Sequence, residues 1–101
     1  MFIPNQKALL RIFEFSISGT RGGPVRLEIL RLLAKNNMNI NQISARLRLD
    51  YKTVQHHMRV LEKSGFVGKK MVNNENIYML SALIRSNNEI MKLIWKDIGK
   101  K

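Results

Sequence analysis

Lys52, Gln55, His56 and Arg59 stand at i, i+3, i+4 and i+7, the spacing that gathers side chains on one face of an α-helix. Their chemistry suits base edges and phosphates. Glutamine pairs with adenine, and arginine or lysine pairs with guanine or phosphate. Tyr51 and Thr53 precede them in the first turn, where the threonine methyl suits the methyl of thymine. Val54, His57, Met58 and Leu61 repeat the same spacing on the opposite side, so one face is apolar and expected to be buried. The amino-terminal end of such a helix attracts a phosphate through its free amides and its dipole. From Arg46 to Lys70 there are seven basic and two acidic residues, a local charge of +5.

Other chemistries fit less well. Adjacent residues on a helix point about 100° apart, so His56 and His57 are poorly placed to share a metal ion. His57 is expected to support the helix from inside, and His56 to contact a groove or stand in solvent. Three glycines in Ser18-Gly19-Thr20-Arg21-Gly22-Gly23-Pro24 suggest a phosphate loop, but the Gly-Lys-Ser/Thr ending is missing. The segment reads as a connector in which Arg21 is free to touch a phosphate. The acidic residues Glu14, Glu28, Asp50, Glu62, Glu75, Glu89 and Asp97 are scattered, and no nucleophile–base pair or carboxylate pair stands out. No enzymatic activity, cofactor or metal is expected.

The whole chain has 101 residues, the length of one small domain. Eighteen Lys and Arg against seven Asp and Glu leave a formal charge of +11, which suits an anionic partner. By composition alone that partner is nucleic acid, acidic lipid or an acidic protein. With no cysteine, disulfides and thiolate metal sites are excluded. No apolar run approaches the roughly 20 residues of a membrane span, and Met1 to Asn5 lack the pattern of a signal peptide. A cytoplasmic protein is expected.

The elements that must position the reading face follow from periodicity. Leu9, Leu10, Ile12, Phe13 and Ile17 recur helically between Asn5 and Ile17, with Phe15 off the stripe. A helix from Val25 to Lys35 turns Leu27, Leu30 and Leu33 or Ala34 inward and Arg26 and Arg31 outward. Asn39 caps a short helix from Ile40 to Leu47, and Asp50 caps the longer one from Tyr51 to Lys63, which ends at Ser64-Gly65. Phe66–Met71 and Asn76–Leu80 read as strands of a basic hairpin, with Asn73 and Asn74 between them. Ser81 caps a last helix, Ala82 to Ile98. Its apolar residues are too many for one narrow stripe, and a partner is the simplest cover.

Two short helices across a tight turn, followed by a hairpin, form the order of a winged helix-turn-helix. The expected fold is mainly α with a small β-hairpin wing, as one domain over 1–101. An N-terminal helix (1–18) and a C-terminal helix (81–101) flank the winged-helix core (24–80). Here the chain resembles archaeal regulators of the ArsR-like winged-helix family. The matching stretches are Gly19 to Pro24, Met38 to Ile43, Leu49 to Met58, Val60 to Gly65, and Ile77 to Ser81. The resemblance implies a DNA-binding transcriptional regulator, usually a homodimer. Such relatives commonly carry glycine where this chain has Arg48. A non-glycine residue at positive φ costs on the order of 1 kcal/mol. Either the turn differs in shape or Arg48 tolerates the strain.

The expected partners are double-stranded DNA and a second copy of the chain, with no membrane; the residues name no small-molecule effector. The expected DNA contacts are Tyr51, Lys52, Thr53, Gln55, His56 and Arg59 on the helix, and Lys69, Lys70, Asn73 and Asn74 on the wing. The expected dimer interface is Leu9, Phe13, Ile84, Met91, Ile94, Trp95 and Ile98. Two rivals fit the same composition. One is an architectural protein that coats DNA with little sequence preference. The other is a protein-interaction module built on a winged helix.

Overall fold

The structure, a computed structural model, describes residues 5–96. Among them the order is α1 (Gln6–Ser18), α2 (Gly23–Lys35), α3 (Ile40–Leu47), α4 (Tyr51–Lys63), β1 (Val67–Val72), β2 (Glu75–Leu80), α5 (Ala82–Arg85) and α6 (Asn88–Trp95). This is a winged helix-turn-helix: α3 and α4 form the helix-turn-helix, and β1 and β2 form the wing.

Caps define the helix starts. Asn5, Asn39, Asp50, Ser81 and Asn87 each accept a backbone N–H from their helix's first turn. At α3 the cap is reciprocal, because Gln42 Oε1 also accepts the Asn39 N–H at 2.8 Å. Between α3 and α4 the chain turns at Arg48, whose φ of 56° and ψ of 43° are left-handed. Of the two possibilities for that turn, the strained arginine is the one adopted. At the far end of α4, Gly65 (φ 79°) supplies the second left-handed position.

The wing is a six-residue antiparallel ladder from Val67↔Leu80 to Val72↔Glu75. Asn73 and Asn74, with φ of 50° and 66°, make its two-residue turn, the conformation that matches strand twist. A third backbone segment joins the sheet. Met38, in the link before α3, exchanges both backbone hydrogen bonds with Tyr78, at 2.8 and 3.1 Å. That bridge anchors the base of the wing to the helix-turn-helix.

The core lies between α2, α4 and α6, with Phe13 and Phe66 meeting at 5.4 Å between ring centroids. Leu30 and Leu33 point inward as expected, and so does Ile29. Arg26 does not face solvent: it is 7% exposed and is turned toward Thr20 and His57. The expected final helix is also interrupted, at Ser86-Asn87. In one continuous helix, Ile84 and Ile90 would lie roughly 120° apart around the axis. The break re-aims the chain, so that Ile84, Ile90 and Ile94 are all fully buried. Asn87 holds the break: its Oδ1 accepts Ile90 N–H at 3.0 Å, and its Nδ2 donates to Gln6 O at 3.1 Å. Arg31 closes the other end, donating from Nε to Ile94 O at 3.0 Å.

These contacts correct the expected dimer interface. Leu9, Phe13, Ile84 and Ile94 are at most 1% exposed in the single chain, so they are core residues and have no surface left for a partner. Met91 is half-buried, Trp95 is exposed, and Ile98 lies outside the described residues.

Replacing Arg48 by glycine relieves the left-handed penalty, about 1 kcal/mol, at the cost of some added unfolded-state entropy. The expected outcome for Arg48→Gly is a thermal midpoint raised by about 3 °C. An unchanged or lower midpoint in a melting experiment would show that the arginine side chain compensates for its backbone.

Candidate nucleic-acid interface

The reading face depends on how α4 is seated. Val54, Met58 and Leu61 are at most 1% exposed, and His57 completes their stripe from within. The opposite face then has only solvent to meet. Lys52, His56, Arg59 and Lys63 are exposed on it, Tyr51 is exposed at the first turn, and Thr53 and Gln55 are half-buried at its edges. Lys63 continues the cationic line by one turn and was not among the expected contacts. It follows Lys52, His56 and Arg59 at helical spacing, so the signal was there to read.

Asp50 governs the start of this helix. Its Oδ2 accepts the Thr53 N–H at 3.2 Å, and its Oδ1 accepts the Thr53 hydroxyl at 2.6 Å. Those bonds, the hydroxyl's first, hold the Asp50 carboxyl below its ordinary value of 3.8. They also commit the Thr53 hydroxyl to the cap, leaving its methyl as the group available outward. The carboxylate sits where a phosphate would otherwise approach, so the attraction at this helix end is partly spent internally. At the start of α3 the cap is neutral, made by Asn39 and Gln42, with Asn41 exposed beside it.

The wing lysines separate. Lys69 pairs across the ladder with Tyr78, and Lys70 with Ile77, so the two side chains point to opposite faces. Lys69 turns toward α4, where its Nζ lies 3.3 Å from Glu62 Oε2 and 6.0 Å from the centre of the Tyr78 ring. It is a strut between wing and helix as much as a free cation. Lys70 has no ion pair among the described residues and is exposed. Burial raises the Tyr78 phenol above its ordinary value of 10.0, so this ring stays neutral under the wing.

The wing turn comes back to the start of the reading helix. Asn74 and Tyr51 line one cleft of about 210 Å³ together with Asn39, Asn41, Glu75 and Asn76. Asn39 Nδ2 donates to Glu75 Oε2 at 3.2 Å across it. Asn73 lies at the exposed tip beside Asn74. Thus Tyr51 and the wing asparagines, 22 or more residues apart in sequence, form a continuous polar edge. Asn41 and Asn76 belong to that edge and were missed, because tertiary contacts, the Met38–Tyr78 bridge and the Asn39–Glu75 bond, bring their segments together. Among the described residues, no three metal-ligating side chains converge. No described helix is long and apolar enough to cross a membrane.

A cationic helix face beside a polar wing defines a helix-turn-helix protein of the winged class. Residues 23–69 match the arsR family of bacterial regulatory proteins. An uncharacterized HTH-type transcriptional regulator of Methanocaldococcus jannaschii is 35% identical over 74 residues, covering 72% of this chain and 81% of that protein. The chain belongs to the HTH-type transcriptional regulators, and its helix-turn-helix domain is of the arsR family. It is a regulator, not an enzyme. Solved structures share its fold. Reduced HlyU from Vibrio cholerae superposes with a TM-score of 0.67 at 24% identity, over 87% of this chain and 83% of HlyU. The homodimeric winged helix-turn-helix DNA-binding domain of a possible ArsR-family regulator from Mycobacterium bovis gives 0.64 at 18% identity, over 91% and 81%.

The Asp50 cap makes a pH-linked prediction. Because folding lowers this carboxyl's pKa, its contribution to stability is present above about pH 3.8 and is lost as pH falls below that value. Asp50→Ala is expected to lower the thermal midpoint at pH 7 and to flatten its fall in acid. Asp50→Ser, which retains a cap, should recover most of the midpoint but not the acid dependence. Melting curves between pH 7 and pH 3 check both.

Proposed function

We propose that this regulator acts as a homodimer that binds double-stranded DNA sequence-specifically, with α4 in the major groove and the wing on the flanking backbone or minor groove. The observation that carries the reading is the two-sided character of α4. One side is packed into the core, and the other offers Lys52, His56 and Arg59 to solvent with Gln55 at the margin. Lysines and arginines supply affinity through phosphate contact and ion release. Gln55, His56 and Arg59 supply base choice, and Tyr51 and the Thr53 methyl read beside them. On the wing, Lys70, Asn73 and Asn74 are the outward contacts, and Lys69 contributes while braced by Glu62.

The chain forms one winged-helix unit, with 24–80 as its core and the terminal helices as its dimerisation elements. Ile12 (43% exposed), Phe15 (69%) and Trp95 (43%) support this, because they leave apolar surface on α1 and α6, which pack against each other. The M. bovis neighbour, described as homodimeric, supports it too. In the dimer two copies of α4 enter successive major grooves about 34 Å apart on a partly palindromic site. A DNA-binding role and the lack of a described membrane-spanning helix support a cytoplasmic location. The M. jannaschii relative supports an archaeal setting. Family membership among transcriptional regulators does not favour the architectural or scaffolding readings.

Selection of bound sequences from a random duplex pool, at two salt concentrations, tests the reading. An enriched inverted repeat is the expected result; tight binding without enrichment would refute sequence specificity. On the enriched site, Gln55→Ala should relax the preference at one base pair. Lys70→Ala should weaken all sequences alike and lower the logarithmic salt slope by about 0.9. Phe15→Glu or Trp95→Glu should shift the protein toward monomer in analytical ultracentrifugation, whereas an unchanged dimer would move the interface elsewhere.

A further inference from the structure

Arg26 is 7% exposed, yet it forms no ion pair among the described residues. A buried guanidinium is ordinarily matched by a carboxylate. Here its partners are neutral. Nη1 lies 3.1 Å from Nδ1 of His57, and Nη2 donates to Thr20 Oγ1 at 2.7 Å. The Thr20 hydroxyl in turn donates to Ser16 O at 2.6 Å. Nε is buried without a partner. The bonds therefore run from the last turn of α1, through α2, to the middle of α4. The α1–α2 connector closes over them: a Cβ on Gly22 would come within 2.5 Å of Nη1 and 2.9 Å of His57 Cε1.

A guanidinium has donors only, so Nδ1 of His57 must accept. That requires a neutral imidazole with its proton on Nε2. We propose that Arg26 and His57 form a proton-operated clasp, in which neutral His57 seats α4 on the α1–α2 connector in its DNA-reading position and a proton on His57 unseats it. Protonation turns an accepting contact at 3.1 Å into two confined cations with no acid between them. The clasp stands on this geometry, while its consequence for DNA rests on the function proposed above.

Charged groups bear on His57 from two sides. Arg26 faces it from α2, and His56 adjoins it on α4 with 5.6 Å between ring centroids. The connector meets the pair with uncharged groups, Gly22 over the contact and Thr20 on the far side of the guanidinium. Burial first, then Arg26 and His56, hold the His57 pKa below its ordinary value of 6.5. The unfolded chain therefore takes up this proton near pH 6.5, before the folded chain does. The stability tied to neutral His57 is complete above that pH and declines as pH falls from 6.5 toward the depressed folded value.

The test uses the full chain in a His56→Gln background, which removes the other imidazole of α4 from the titration. Thermal midpoint and affinity for the selected duplex are measured at pH 7.5 and pH 5.5, with and without His57→Asn. Asparagine offers an oxygen near the Nδ1 position and does not titrate. The expected result is a midpoint about 5 °C lower at pH 5.5 and an affinity lower by about tenfold, with both losses absent in His57→Asn. An equal acid loss in His57→Asn overturns the clasp. If His57→Asn fails to fold, NMR titration of the His57 ring decides. The ring should be the Nε2–H tautomer with a depressed midpoint in the His56→Gln protein, and that midpoint should move up in Arg26→Met. A ring titrating normally in both overturns the proposal. Should the protein bind no duplex at pH 7.5, the DNA-binding reading fails, and the pH dependence of the melting midpoint alone decides the clasp.

Discussion

Four inward side chains of α4, Val54, His57, Met58 and Leu61, control the orientation of everything outward on that helix. Once they are buried against α2, α3 and β1, rotation of the helix about its axis would expose apolar surface, at about 25 cal/mol per Å². The cationic face is thus held in place by what happens behind it. Three of the four anchors are apolar and tolerant of small shifts. The fourth, His57, is directional, because its contact with Arg26 has one geometry and one protonation state. That mixture explains how a helix with so polar an outer face is held to one angle.

Charge is distributed by the same logic. A chain at +11 gains nothing from burying a cation, and two of its arginines are nevertheless drawn inward. Arg31 uses its fork to satisfy the last carbonyls of α6 and keeps one arm on Glu28 at 3.1 Å. Arg26 links the α1–α2 connector to the middle of α4. Both act as multivalent hydrogen-bond donors that tie separate segments together, a role lysine's compact ammonium fills poorly. The remaining cations stay outside, concentrated on α4, on α3 with its turn, and on the wing. Glu62, which lies on α4 itself, is engaged by Lys69 and so detracts little from the potential of the cationic face.

The wing and the helix-turn-helix are joined by backbone. Met38 and Tyr78 exchange two hydrogen bonds, and Ser81 Oγ donates to Gly65 O at 2.7 Å, closing the path from α4 back to α5. Asn39 reaches Glu75 above the same junction. The hairpin therefore moves with α3 and α4 as one body, and its tip stands at a set height beside Tyr51. A wing tied only at its own base would leave Asn73 and Asn74 free to wander relative to the reading helix.

Much of this was legible in the residues alone. Helix limits for α3 and α4 follow from Asn39, Asp50 and Gly65, since local hydrogen bonds and left-handed geometry act within four or five residues of chain. The polar and apolar faces of α4 follow from spacing, and the Asn73-Asn74 turn follows from side-chain tolerance of positive φ. What spacing leaves open is what lies across from a given face. The last helix read as one apolar rod in need of a partner; the tertiary structure breaks it at Asn87 and buries Ile84, Ile90 and Ile94 within the chain, because Gln6, 81 residues away, supplies the acceptor that makes the break favourable. Arg26 read as a surface charge, and the fold of the α1–α2 connector and the approach of α4 provide the hydroxyl and imidazole that let it stay inside. Local interactions determined the elements. Contacts between residues distant in sequence decided which of their faces remained exposed.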